Sequence, residues 1–95
     1  MKTKTEIITR ALRRLGIVAM DEAATAEQEN VAGEALEALV LEVSRAEGIH
    51  IPDVDRVEDD LFLPLAYLLA AEVAPDFSTQ APERRSRALV RLRAA

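Results

Sequence analysis

The segment "LFLPLAYLLAAEVAPDF", residues 61–77, constrains the fold of this chain more than any other stretch. Between Asp60 and Pro75 its only charged residue is Glu72, so a helix drawn through it is apolar on every side. Such a helix must be covered on every side. A chain of 95 residues has little core to give, because the fraction of surface buried falls with chain length. Two arrangements would cover it. Its own three helical neighbours can wrap it, or another subunit can supply part of the cover, and the second is the expectation. Leu61, Phe62, Leu65, Leu68 and Leu69 make a bulky face. Pro64, Tyr67, Ala70, Ala71 and Ala74 make a flatter one, where a partner helix could approach closely. Asp59 or Asp60 can cap its start, and Pro64 fits if it falls in the first turn, where a missing backbone donor costs least. Pro75 closes the helix at Ala74.

The remaining sequence punctuates as three more helices. Thr3 and Glu6 have capping-box spacing, and Ile7, Ile8, Ala11, Leu12 and Leu15 follow as one stripe with Arg10, Arg13 and Arg14 opposite. Gly16 suits a left-handed C-terminal position, with Ile17 folding back, which predicts a helix over 4–15. Thr25 and Gln28 repeat the capping box, and the next helix runs over 26–47 to Gly48. Its stripe of Val31, Ala32, Ala35, Leu36, Leu39, Val40, Val43 and Ala46 covers about half the circumference, enough to touch two neighbours. Leu41 lies outside that stripe, among Glu34, Glu37 and Ala38. "GIHIPDVDRVEDD" (48–60) is irregular, with a short extended piece at 49–51 before Pro52. Ser78 or Thr79 can cap a last helix over 80–93 with Pro82 in its first turn. Its apolar stripe of Ala81, Ala88, Leu89 and Leu92 is thin, worth about 3–6 kcal/mol of burial against ordering costs at least as large. This helix is expected to be the least stable element. The fold class is therefore all-α, a single domain over 1–95 built as a small antiparallel bundle of about four helices. The composition agrees, since alanine and leucine carry much of the 49% hydrophobic content and Phe62, Tyr67 and Phe77 are the only aromatics.

Few chemistries are open to this sequence. Without cysteine there is no disulfide and no thiolate metal site, and a lone His50 argues against zinc. Asp53, Asp55, Glu58, Asp59 and Asp60 lack the glycine and terminal glutamate of a calcium loop, so they read as a solvated, capping cluster. No phosphate loop, HExxH or nucleophile elbow occurs, and no enzyme activity or cofactor is expected. The N-terminus lacks the apolar run of a signal peptide, and no stretch reaches a membrane span of about 18 residues. The expectation is an intracellular, soluble chain.

Charge is unevenly placed. The net −5 divides into +4 over 1–20, −13 over 21–76 and +4 over 77–95. Basic ends around an acidic middle suggest complementary contacts within the fold or between copies. The arginine rows of the first and last helices could meet phosphates, but the acidic centre repels DNA and no helix-turn-helix spacing or aromatic platform occurs.

The pieces "TEIITRALRRLGI" (5–17), "RAEGIHIP" (45–52) and "LPLAYLLAAEVAPDF" (63–77), followed by a helix with Ala81 and Ala88 seven apart, occur in an order that resembles a phage family. It is the head–tail adaptor family of tailed bacteriophages, also called head-completion or tail-accessory proteins, of the short-tailed type. The resemblance spans most of the chain. It implies a non-enzymatic virion protein at the head–tail junction, present in the host cytoplasm during assembly. Such proteins form a ring, typically of twelve, below the portal and extend its DNA channel toward a downstream tail or nozzle protein. Genomic DNA passes without sequence-specific binding, which an acidic lining would assist. C-terminal segments in the family commonly dock on the portal, so 77–95 is the expected docking helix, with Arg84, Arg85, Arg87, Arg91 and Arg93 as portal contacts. This chain stops at Ala95 without the extended tail of longer relatives, which leaves the 48–60 loop as the other place for that contact. The expected subunit interface uses Arg10, Arg13, Arg14, Glu34, Glu37, Leu41, Tyr67 and Ala71. The alternative reading is a small dimeric helical interaction module or DNA-binding regulator.

Overall fold

Both capping boxes form. The Thr3 hydroxyl accepts from the Glu6 backbone at 3.2 Å, and the Thr25 hydroxyl accepts from the Gln28 backbone at 3.1 Å. The Glu6 and Gln28 side chains reach back to the Thr3 and Thr25 backbones, so each box satisfies two donors that a helix start leaves open. The computed structural model describes residues 1–95 and contains four α-helices: α1 (Lys4–Arg14), α2 (Ala26–Glu47), α3 (Asp59–Val73) and α4 (Arg85–Ala94). It has no strands, so the all-α bundle reading holds. Gly16, at φ 74°, ends α1. The Ile17 backbone donates to the Leu12 carbonyl at 3.0 Å and Gly16 donates to Arg13, which is the Schellman pattern.

α3 is the centre of the molecule, and α1, α2 and α4 all pack on it. Leu65 to Ala70 are buried without a break, followed by Val73 and Ala74. The expected flat contact face is thereby corrected. Tyr67, Ala70 and Ala74 keep 8%, 1% and 3% of their exposure, so the chain's own helices cover most of that side of α3, and Pro64 and Ala71 stay half-exposed. Ile7, Ile8, Ala11 and Leu12 from α1, Leu36, Leu39 and Val43 from α2, and Ala88 and Leu92 from α4 close the core. Loop residues Val18, Ile51 and Val57 complete it.

Three boundaries differ from the sequence reading. α3 begins at Asp59 with Glu58 before it and no side-chain cap, so neither Asp59 nor Asp60 is the N-cap. Pro64 then lies beyond the first turn, and the carbonyl it leaves without a donor belongs to exposed Asp60, where water can replace the bond. After Val73 the chain tightens into a 3₁₀ turn, Ala74–Phe77, which ends at Ser78 in a left-handed conformation, φ 54°. Ser78 therefore closes that turn and caps no following helix, and α4 begins at Arg85 instead of near 80. Pro82 and Ala81 fall in the intervening loop. The only β-type pairing is one bridge between Lys2 and Val57, away from the extended piece expected at 49–51.

Candidate interaction surface

Charged side chains between the helices set what each surface presents. Arg85 of α4 donates to both Glu42 of α2 and Glu72 of α3. Arg93 grips Glu47 of α2 with two bonds of 2.5 and 2.7 Å. That fork geometry suits a guanidinium against a carboxylate. The hydrogen bond from Arg93 holds the Glu47 carboxyl below its ordinary pKa, and the bond to Glu47 raises that of Arg93. Arg85 is raised for the same reason, first by its bond to Glu42. The acidic middle and the basic end of the sequence thus meet inside one molecule, along the α2–α4 seam.

A second group forms on the α1–α4 side. Arg14 of α1 lies over the Tyr67 ring at 4.2 Å from the centroid, and Arg91 of α4 lies over it at 4.8 Å. Cations within about 6 Å of an aromatic face are drawn to its electron-rich centre. The Tyr67 phenol sits below its ordinary pKa, chiefly through hydrogen bonding from the Arg10 side chain and also through the charges of Arg14, Arg10 and Arg91. Burial acts in the opposite direction. The carboxylate paired with arginine in this neighbourhood is Glu83, 2.9 Å from Arg91 and 3.7 Å from Arg87. Arg10, Arg13, Arg14 and Arg84 form no ion pair.

α2 presents the opposite character. Glu34, Glu37, Ala38 and Leu41 face solvent, with Leu41 60% exposed as the sequence reading expected. Lys4 reaches Glu37 at 2.9 Å, and Glu34 has no basic partner.

The sequence-predicted residues therefore divide. Arg10, Arg14, Arg91 and Tyr67 come together, while Glu34, Glu37 and Leu41 share a separate helix face. Arg85 and Arg93 are engaged internally, while Arg87, 78% exposed, and Arg84, just before α4, face solvent. Sequence reasoning missed Glu83, whose side chain is only 13% exposed, and Val90, which is 58% exposed on α4. Val90 had a signal, since it lies off the stripe of Ala88 and Leu92. Glu83 had one as well, since Arg87 stands four residues on, at the spacing of a helical ion pair. No cluster of residues suited to a metal ion occurs, and no helix is long and apolar enough to cross a membrane. No protein-family model matches this chain, and no curated protein or solved structure matches it.

Proposed function

We propose that this chain is a structural virion protein that assembles as a ring below a phage portal, joins head to tail and extends the DNA channel. The observation that carries the reading is the segregation of exposed charge by sign on a bundle that fills its own core. Glu34, Glu37 and exposed Leu41 lie on α2, and unpaired Arg10, Arg13 and Arg14 lie on α1. Each helix packs inward on α3, so these outer faces point in different directions. One face meeting a different face of the next copy is a heterologous contact, and it closes into a ring when the rotation permits. The resemblance carried by residues 5–17, 45–52 and 63–77 names the assembly that such a ring would serve. In this reading the segment 77–95 meets the portal through Arg84 and Arg87, the far rim meets a tail or nozzle protein, and DNA slides through unbound.

The test is electron microscopy of the chain mixed with a phage portal oligomer, with native mass measured with and without duplex DNA. A closed ring seated on the portal, and no mass shift with DNA, is the expected outcome. A dimer that never rings on the portal and shifts with DNA would instead establish the regulator reading, which the unpaired arginines of α1 also suit.

A further inference from the structure

We infer that the arginine surface centred on Tyr67, built by α1 and α4, docks the outer face of α2 from a second copy of this chain. The two surfaces share one plan with opposite sign. On the first, Arg14 and Arg91 stack on one phenol ring, Arg10 lies one turn before Arg14 on the same face of α1, and Glu83 opposes Arg91. The Arg14 Nε is shielded from solvent and has no hydrogen-bond partner. Arg13 adds an exposed, unpaired charge beside them. Arg91 also lines an open groove with Ser86, Arg87 and Val90, so this basic surface carries one exposed aliphatic side chain. On the second, Glu34, Glu37 and Leu41 recur at helical spacing and share a face, again with one exposed aliphatic side chain beside carboxylates.

Charge complementarity selects a second copy as the occupant. The surface holds few carboxylates, Glu83 and, beside Arg10 and Arg13, Glu6, while the chain carries them in excess, with a net charge of −5. That same excess repels a phosphodiester backbone at longer range. Exposed pairs contribute little each, so the charges set register while Leu41 and Val90 supply the apolar contact. α4 arginines paired along the α2–α4 seam are not free for this role, which places the contact on the α1 side of α4.

This inference rests on the ring reading only for closure of the assembly; the contact itself is tested without a portal. Two double variants serve: Arg10→Glu with Arg13→Glu, and Glu34→Lys with Glu37→Lys. All four positions are exposed, and circular dichroism verifies that both variants keep the helical fold. Self-association of each variant is measured by sedimentation at low salt and high concentration, beside the parent chain and an equimolar mixture of the two. The expected result is association weakened by about tenfold or more for each variant alone, and restored in the mixture, where arginine meets glutamate again. A mixture that stays monomeric, or a variant that associates as the parent does, overturns the inference. So does binding of mixed-sequence duplex DNA that the arginine variant alone loses. If the parent rings on the portal while the mixture stays silent, the ring stands and this docking surface is wrong. If the mixture associates and no ring forms, the contact stands and the ring reading falls.

Discussion

Tyr67 illustrates how one side chain serves two demands. Its ring is buried in the bundle, yet its phenol and ring faces meet Arg10, Arg14 and Arg91, so a polar tip and three cations are accommodated at the edge of an apolar core. Tyr67→Phe keeps Arg14 and Arg91 stacked on the ring and removes only the hydroxyl near Arg10, at an expected cost of about 1 kcal/mol or less in urea unfolding. Tyr67→Ala removes the ring as well, with an expected loss of about 3–5 kcal/mol. Equal losses for the two variants would show that the phenol, not the stacked ring, holds this corner. Gly33 gives a contrasting case on α2. A Cβ placed there meets the Lys4 Cε at 3.2 Å and the Ile8 Cδ1 at 3.8 Å, and the nearer neighbour is the mobile end of a lysine. Lys4 can shift by tenths of an ångström while still reaching Glu37. Gly33→Ala should therefore stabilise the fold by about 0.5–1 kcal/mol through helix propensity, read as a raised urea midpoint at unchanged slope.

At the scale of one element, α4 departs from its neighbours. It buries only Ala88 and Leu92 fully, and it lacks the side-chain N-cap that α1 and α2 possess. Its arginines do not simply repel one another, because Arg85 and Arg93 are neutralised by carboxylates of α2 and α3. Ion pairs of this exposure substitute poorly for apolar burial. Amide exchange in 86–94 should accordingly exceed that in 65–73, and equal protection would contradict the ranking. Acid should widen the gap. Glu47 has a folded-state pKa below its ordinary 4.5, so the folded chain binds fewer protons there than the unfolded chain does. The contribution of the Glu47–Arg93 pair is thus complete above pH 4.5 and is lost as pH falls through the lowered value. Exchange of α4 relative to α3, compared at pH 7 and pH 3, should show α4 loosening first. Arg85 and Arg93 are raised further from the working range and remain charged throughout.

For the whole molecule, what matters is that its own helices surround α3. Apart from Leu63, 37% exposed near its start, α3 offers little apolar surface to a partner, so the ring proposed above would rest on modest outer contacts and on a template that aligns the copies. Leu41→Asp tests this. At 60% exposure the side chain contributes little to the fold, and the expected change in unfolding free energy is within about 0.5 kcal/mol. Incorporation into portal-bound rings should nevertheless fall sharply, because a carboxylate would replace the apolar contact. Normal incorporation would remove the α2 face from the interface, whereas loss of the monomer fold would place Leu41 in the core.

Local features were legible from the sequence because their physics is local. Thr3 with Glu6, Thr25 with Gln28, Gly16 and Gly48 mark helix ends through backbone groups a few residues away, and α1 and α2 begin where those residues require. Apolar spacing likewise identified Leu12, Leu36, Leu65 and Leu92 as core and Leu41 as exposed. The α4 boundary was missed because Ser78 can cap a helix or turn left-handed, and the competing 3₁₀ bonds to Ala74 and Pro75 decide which it does. Which helices share a side of α3 is fixed by packing across the whole chain. Nothing within α1 or α4 specifies that Arg14 and Arg91 meet on Tyr67, or that Arg93 finds Glu47 across 46 residues. Those meetings follow from how three stripes of different width divide the circumference of one all-apolar helix. That division is settled by packing volume and coverage over the whole chain, so it turned an expected subunit contact into the protein's own core.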